Sequence, residues 1–205
     1  QNWLTYNGGY MSQRHSLLDQ INSENINQLE LKWVLQNQVF GAWQSNPIIV
    51  DGIMYVTERP NSVMAVDAVT GRVFWKYRHQ NADNALVCCG ANNRGVAVLN
   101  DKVYMGTLDA HLVALDRVNG QLLWKAEVGD VNLAYSVTMA PLAVKDKILV
   151  GVGGGEFGIR GYVAAFDAET GAQAWKTYTI PGPGEANHDS WEGDDWEHAQ
   201  FARHF

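Results

Sequence analysis

Apolar and polar residues alternate along this chain with a period of two, which is typical of β-strands. From Ser45 onward, four short runs rich in Val, Ile, Tyr, Phe and Trp follow one another: SNPIIVDG, IMYVTE, SVMAVDA and RVFWKYRH. Gly, Asp and Asn separate the runs, and these residues favour turns. The same layout returns as VAVLND, KVYMGTL, HLVALDR and QLLWKAEV, and again as APLAVKD, KILVGVG, YVAAFDA and QAWKTYT. The pattern predicts an all-β protein built of four-stranded antiparallel units.

A twelve-residue phrase recurs inside these units: AVDAVTGRVFWK from Ala65, ALDRVNGQLLWK from Ala114 and AFDAETGAQAWK from Ala165. In each copy a Gly follows the Asp by four residues and a Trp follows it by eight. Repeats of roughly 20–50 residues indicate solenoids, propellers or arrays. A four-stranded unit with a Trp that packs between neighbours is typical of a propeller blade. We therefore predict a partial β-propeller rather than an antiparallel sandwich with accidental internal similarity.

The predicted blades occupy residues 41–80, 95–128 and 138–180. Residues 1–40 form an amino-terminal segment that ends in a closing strand, LELKWVL, and residues 181–205 form an incomplete loop with a divergent tail. Together these pieces make about four blades, and an open arc of blades would leave unpaired strand edges. We expect the front portion of a larger ring. Because the chain opens at Gln1 without an initiator Met or a leader, we also expect a processed form or an excerpt.

The charge and hydrophobicity of the chain exclude some classes of binding partner. A net charge of −7 and a pI near 5.3 argue against nucleic acid or an anionic membrane as the main partner. No apolar run reaches the ~18 residues that a membrane span needs, so no transmembrane segment is predicted. The oligomeric state does not follow from the sequence.

Cys88 and Cys89 are adjacent, and they are the two cysteines of the chain. An intramolecular disulfide would have to join these neighbours in a strained ring, and such strain is typical of functional sites. The alternative is a pair of reduced, half-buried thiols. The pair lies between two predicted blades in the stretch VCCGANNRG, which also contains Arg94. Propellers bind ligands between blades near their axis, which favours a functional role.

A glycine-rich run, GVGGGEFGIRG, lies between two predicted strands at residues 151–161. Gly153, Gly155 and Gly158 match the spacing of a dinucleotide fingerprint, but that fingerprint requires a following helix, and a strand-like segment follows here. We interpret the run as backbone that passes close to a flat or bulky group. Glu156 then offers a carboxylate, a ligand for hard cations, in the same place. A flexible turn with a surface Glu is the alternative.

These pieces together resemble the pyrroloquinoline quinone (PQQ)-dependent alcohol dehydrogenases of the methanol and ethanol dehydrogenase type. The resemblance rests on the opening WLTYNGGYMSQRHSLLDQINSENINQLELKWVL, followed in order by QSNPIIVDGIMYVT, VCCGANNRG, YSVTMAP, GGGEFGIRG and IPGPGEANHDSWEGDDW. It covers residues 2–198, and the Cys-Cys pair with its downstream Arg is highly specific. The family's fold is an eight-bladed propeller with the quinone at its axis.

The resemblance assigns roles position by position. Cys88 and Cys89 would form a ring disulfide that lies flat against one face of the tricyclic quinone. Arg94 and Thr138 would donate hydrogen bonds to its carboxylates, for which a guanidinium fork is well suited.

Further roles fall in the glycine-rich run. Gly153, Gly154 and Gly155 would let backbone approach the cofactor edge, and Glu156 would bind the Ca²⁺ or lanthanide ion that polarises a quinone carbonyl as a Lewis acid. Two positions depart from the family pattern. Gln44 stands where many members carry Glu beside the quinone, so this contact with the cofactor loses its charge. Gly153 replaces a Ser that is common in relatives, which removes a hydroxyl contact.

A larger departure follows GDDWEH, where the family continues with a glycine triplet and a Trp that covers the opposite face of the quinone. Here the chain reads AQFARHF. An Asn ligand to the metal and the Asp thought to act as general base would also lie beyond residue 205, so no complete catalytic set is expected. His188, Asp194, Asp195 and His198 are alternative candidates for the base, although an acidic and aromatic loop is more typical of solvated surface.

The function implied by the resemblance is oxidation of a primary alcohol to an aldehyde, with electrons passed to a cytochrome c-type acceptor. The family's setting is the bacterial periplasm, which suits a disulfide. This chain would carry one side of the quinone site and would be inactive alone. The alternatives are an inactive truncated product and a non-catalytic propeller scaffold of the kind that assembles outer-membrane proteins. A scaffold has no reason to keep Cys-Cys, Arg94 and Glu156 together.

Overall fold

The computed structural model describes residues 2–193 and 195–200. Its strands form three antiparallel sheets, each made of four strands consecutive in sequence. The sheets comprise β1 (Ile48–Val50), β2 (Ile53–Glu58), β3 (Ser62–Asp67) and β4 (Val73–Arg78); β5 (Val96–Leu99), β6 (Lys102–Gly106), β7 (His111–Asp116) and β8 (Leu122–Glu127); and β9 (Leu142–Val144), β10 (Lys147–Gly151), β11 (Tyr162–Asp167) and β12 (Gln173–Tyr178). The predicted all-β architecture of four-stranded blades is confirmed.

Little helix accompanies the sheets. Among the described residues, short 3₁₀ helices cover Ile26–Gln28, Val131–Leu133, Gly155–Phe157 and His188–Ser190, and an α-helix, α1, covers Asp195–Gln200. No helix within the described ranges is long and apolar enough to cross a membrane.

The recurring Asp and Gly build the turn between the third and fourth strands of each sheet. In the second sheet, Oδ1 of Asp116 accepts hydrogen bonds from the backbone N–H groups of Val118 at 2.8 Å and Asn119 at 2.9 Å. The Gly120 N–H donates to the Asp116 carbonyl at 2.9 Å, and Gly120 has a φ of +75°, which L side chains rarely adopt. The first and third sheets repeat these bonds, which explains why both residues return in every unit.

The recurring Trp joins each unit to the next. Trp75 of the first sheet lies over Gly120 of the second, where a Cβ atom would come within 2.5 Å of the indole ring. Its Nε1 donates to the Arg117 carbonyl at 3.0 Å. Trp33 lies over Gly71, and Trp124 over Gly171, in the same way. The Trp of one unit therefore packs against the Gly turn of the following unit.

The predicted closing strand LELKWVL differs from the other predicted strands. Within residues 2–193 and 195–200, this segment has no hydrogen-bonded neighbouring strand and is therefore not part of a sheet. Its residue Trp33 still donates from Nε1 to the Ala68 carbonyl at 3.2 Å, as the other inter-unit Trp residues do. The segment thus makes the Trp contact of a blade with the first sheet, although it does not belong to a sheet itself.

The hydrophobic core lies between successive sheets. Tyr55 and Val63 pack with Met105 and Leu115 between the first two sheets. A second cluster, which includes Tyr104, Leu112, Ile148 and Phe166, fills the space between the second and third sheets. The first strands of the sheets, β1, β5 and β9, contact one another in sequence order. The sheets therefore fan around a common inner edge, and loops from different blades converge there.

Candidate cofactor site

The loop of residues 79–95, which joins β4 to β5, carries the two cysteines over the inner edge of the blades. The Sγ atoms of Cys88 and Cys89 are bonded in this structure, with Cα atoms 3.8 Å apart, and both residues are exposed. Nδ2 of the buried Asn92 donates to the Cys89 carbonyl at 3.1 Å. Nε of Arg59 donates to the Ala91 carbonyl at 3.1 Å. These bonds hold the backbone of the cysteine turn in place, and the two cysteines remain exposed.

A buried acidic group holds the start of the same loop. The side chain of Asp109 accepts hydrogen bonds from Nε2 of His79 at 2.9 Å, from the Thr107 hydroxyl at 2.5 Å and from the Ala82 N–H at 3.2 Å. Burial acts to raise the pKa of Asp109, but hydrogen bonds from His111, His79 and Thr107 outweigh it and hold that pKa well below its usual range. The ionised carboxylate of Asp109, in the second blade, therefore holds the loop in place through His79 and Ala82.

A cavity of about 310 Å³ opens beside the cysteine turn. Its walls are Val87, Cys88, Cys89, Gly90, Asn92, Arg94, Ser136, Thr138, Gly153, Gly154, Gly155, Glu156 and Phe157. Eight of the nine site residues expected from the sequence thus line one space, although they come from three separate loops. Among the described residues, Gln44 does not line this cavity: it is exposed, and its carbonyl accepts from Nδ2 of Asn46 at 3.4 Å. Contact between Gln44 and a cofactor stays a prediction.

Arg94 and Thr138 form one polar wall of the cavity. Nη1 of Arg94 donates to Oγ1 of Thr138 at 2.9 Å, and the Arg94 N–H donates to the Thr138 carbonyl at 3.1 Å. Since Oγ1 of Thr138 acts as the acceptor, its own hydrogen remains available to a ligand. The exposed guanidinium keeps further N–H groups for an anion. This wall is suited to a carboxylate.

The glycine-rich run forms the adjoining wall, since Gly153 pairs with Ser136 two residues before Thr138. Gly154 has a φ of +125°, and a Cβ atom there would lie 2.3 Å from the Ala134 carbonyl, so this position requires Gly. Gly155 also lines the cavity, and a Cβ atom there would meet nothing within 4 Å. Gly155 also begins the 3₁₀ turn Gly155–Phe157, which carries Glu156 to the cavity edge.

Glu156 lies beside the two sulfurs. A carboxylate oxygen of Glu156 and the Sγ atoms of Cys88 and Cys89 all lie within 4.8 Å of one another. Sulfurs that are bonded to each other are not the thiolates that bind soft metals, so the Glu156 carboxylate is the one member of this group whose chemistry suits a hard cation. One carboxylate does not complete the coordination of Ca²⁺, which takes 6–8 oxygen ligands. The remaining donors would have to come from a bound ligand or from other residues.

Several candidates for a general base lie elsewhere. Nδ1 of His188 is 3.1 Å from the Pro181 carbonyl, and its ring contacts that of Trp196. Asp195 is exposed, and neither His188 nor Asp195 lines the cavity in the described ranges. Asp194 and the side chain of His198 lie outside the described residues. The base stays unassigned.

Asn92 and Ser136 line the cavity but were missed by the sequence reasoning. Ser136 precedes Thr138 by two residues in YSVTMAP, so strand alternation places both side chains on one face. Asn92 directly precedes Asn93 and Arg94 in a stretch that the sequence already marked, but neither Asn has a distinguishing neighbour pattern.

The cavity fits a flat, carboxylated quinone such as PQQ. Its volume lies at the lower end of the ~300–1,000 Å³ of small-molecule pockets. The exposed sulfur pair offers a face for stacking, Arg94 and Thr138 offer donors for carboxylates, and the space beside Gly155 accommodates a ring edge.

Comparison with known proteins identifies relatives that are PQQ-dependent dehydrogenases. The family described as "PQQ: Glucose/ethanol/alcohol dehydrogenase, beta-propeller domain" matches residues 3–203. The dehydrogenase subunit of alcohol dehydrogenase (quinone) from Gluconacetobacter polyoxogenes is 42% identical over 191 residues, which is 89% of this chain and 26% of that protein. The lanthanide-dependent methanol dehydrogenase of Methylacidiphilum fumariolicum is 40% identical over 188 residues, 89% of this chain and 31% of that protein.

A solved structure agrees in fold. The quinohemoprotein alcohol dehydrogenase ADHIIG from Pseudomonas putida HK5 superposes with a TM-score of 0.89 at 41% identity, over 95% of this chain and 30% of that chain. The chain thus spans about a quarter to a third of the length of these relatives.

Proposed function

We propose that this chain, which belongs to the PQQ-dependent glucose, ethanol and alcohol dehydrogenase β-propeller family, forms one side of the quinone and metal site of an alcohol dehydrogenase. The observation that carries the proposal is the convergence of the cysteine turn, Arg94, Thr138 and Glu156 on a single cavity. These residues are far apart in sequence, and a non-catalytic scaffold would not need them at one place.

The side chains of this chain would bind the quinone and the metal ion and set the orientation of the quinone. The bonded Cys88 and Cys89 present a flat face that excludes water from one side of a ring system. Arg94 and Thr138 place a positive charge and a hydroxyl donor at the carboxylates, which fixes the orientation in the plane. Glu156 contributes one carboxylate to a Ca²⁺ or lanthanide ion.

The reaction proposed for the whole protein is supported by the relatives, which are named as alcohol and methanol dehydrogenases. PQQ, when bound, would supply the two-electron acceptor for oxidation of a primary alcohol to an aldehyde, and the electrons would pass to a cytochrome c-type acceptor. The catalytic Asp and the cover of the second quinone face are expected outside these 205 residues. We accordingly expect the 205-residue chain to bind the quinone without oxidising alcohol. A periplasmic location and a stable disulfide in the natural protein belong to the same proposal.

Equilibrium titration of the purified chain with PQQ, followed by quenching of tryptophan fluorescence, tests the proposal. We expect saturable binding that Ca²⁺ strengthens, and Glu156→Gln should remove the Ca²⁺ effect because its amide lacks the ligand charge. Glu127→Gln, at an exposed position on β8 outside the cavity lining, is the matched control and should keep it.

Opening the disulfide with a phosphine reductant should weaken binding, because the flat sulfur face is lost. Absence of saturable PQQ binding by the oxidised chain would refute the proposal. Turnover of ethanol with a dye acceptor would show that the base is present in these residues after all.

A further inference from the structure

Ser136 is a buried residue whose side chain faces the cavity. It is 3% exposed and belongs to the cavity wall. Its backbone is fully engaged: the Ser136 N–H donates to the Gly153 carbonyl at 3.1 Å, and the Gly153 N–H donates to the Ser136 carbonyl at 2.8 Å. In the described part of the chain, this hydroxyl has no hydrogen-bond partner, and its Oγ is not one of the fully buried polar atoms, so the atom is open to the cavity. An uncommitted hydroxyl in a cavity wall is free to donate to a bound ligand.

Strand alternation fixes the direction of this hydroxyl. Val137, the next residue, is fully buried in the core between the second and third sheets. Its Cγ1 lies 2.2 Å from the position that a Cβ atom on Gly106 would take, so it packs tightly on the second blade. Ser136 and Thr138 therefore point the opposite way, both toward the cavity. Two residues along an extended chain span roughly 6–7 Å, a spacing suited to the carboxylated edge of a ring system.

Gly153 lies directly beside this hydroxyl. A Cβ atom on Gly153 would be 3.2 Å from Oγ of Ser136 and 3.8 Å from its carbonyl oxygen. The φ of Gly153 is outside the left-handed region, so an L side chain is compatible with its backbone. A side chain at residue 153 would therefore touch the Ser136 hydroxyl, so the two positions face the same part of the cavity.

We propose that Ser136 is a further cofactor-binding residue, whose hydroxyl donates a hydrogen bond to a carboxylate of the bound quinone beside those from Arg94 and Thr138. This inference rests on the proposed function. Ser136 offers a hydroxyl in the part of the cavity where Gly153 has no side chain, and paired backbone hydrogen bonds hold the two positions together.

The test is a PQQ titration of the 205-residue chain and of Ser136→Ala. We expect the dissociation constant to rise about tenfold in the variant, which is the loss typical of a hydrogen bond to a charged group. The urea midpoint should stay unchanged, because no protein group loses a partner. Ser62→Ala is the control: Ser62 is a buried serine on β3 that does not line the cavity in the described ranges, and this variant should bind PQQ as the unchanged chain does.

A second variant moves the hydroxyl by one strand. Gly153→Ser combined with Ser136→Ala removes the 3.2 Å crowding and returns a hydroxyl to the same part of the cavity, so affinity should recover to within about threefold of the unchanged chain. Gly153→Ser alone keeps the crowding and should not improve binding.

Equal dissociation constants for the unchanged chain and Ser136→Ala would overturn the assignment while leaving the proposed function intact. A failure of the unchanged chain to bind PQQ would overturn both. Weaker binding by Ser136→Ala together with a lowered urea midpoint and no recovery in the double variant would assign Ser136 a purely structural role, against the proposal.

Discussion

Substitution of Gly120 by Ala tests the contact that joins one blade to the next. Two costs apply at this position. The residue has a φ of +75°, and an L residue in the left-handed region costs about 1–2 kcal/mol. In addition, the new Cβ would lie 2.5 Å from the ring of Trp75, and overpacking of this kind costs about 1–3 kcal/mol. We expect a total loss of about 2–5 kcal/mol in the free energy of unfolding.

Gly52 supplies the matched control, since it separates the two costs. It lies in the turn between β1 and β2 with a φ of +77°, and a Cβ atom there meets nothing within 4 Å. Gly52→Ala should therefore cost about 1–2 kcal/mol from the backbone alone. The excess for Gly120→Ala measures the indole contact, and about 2 kcal/mol corresponds to a difference of about 4–8 °C in Tm for a chain of this size.

Urea unfolding followed by circular dichroism gives both free energies, with the m-value as a check that the transition remains cooperative. If the two variants lose the same stability, the ring of Trp75 yields to a methyl group without cost, and the close packing of indole on glycine does not stabilise the array.

Two further predictions concern other contacts. Asp109→Asn should lower the free energy of unfolding by about 3 kcal/mol at pH 7, because it disrupts a buried, hydrogen-bonded pair with His79. Since the pKa of Asp109 is depressed in the folded protein, its contribution is complete above the unfolded pKa of about 3.9 and is lost as the pH falls below it. Urea titrations at pH 7 and pH 3 should therefore show a smaller difference between the two proteins at pH 3, and an unchanged difference would contradict the assignment. Trp75→Ala should cost about 3–5 kcal/mol and Trp175→Ala about 1 kcal/mol, since Trp75 is 9% exposed and Trp175 is 44% exposed; similar urea midpoints would count against this.

Much of the blade architecture could be predicted from local signals. Each strand, turn Asp and turn Gly acts within a dozen residues, so the repeat displays them directly. The segment around Trp33 shows the limit of this reasoning. Its alternating pattern predicts a strand, but a strand exists through hydrogen bonds to a neighbour, and no described strand pairs with it.

The sequence identified those cavity-lining residues that belong to unusual motifs. Adjacent cysteines and a triple glycine stand out in any sequence, whereas Ser136 and Asn92 are ordinary residues. The role of Ser136 depends on its pairing with Gly153, seventeen residues away, and on the packing of Val137. Such non-local relations carry no signal in one sequence. Gln44 illustrates the converse, because a position suggested by a motif lies outside the lining of the described cavity.

The placement of each indole on the glycine turn of the following unit gives the array a direction. A defect in one Trp removes packing from its own sheet and also uncovers the turn of the downstream neighbour, so its effect reaches two units. Trp33, Trp75 and Trp124 each make this contact with the unit that follows, so consecutive units are joined in one orientation. An inserted duplicate would bring this contact with it, whereas the core between sheets differs from one pair to the next and would have to be matched anew.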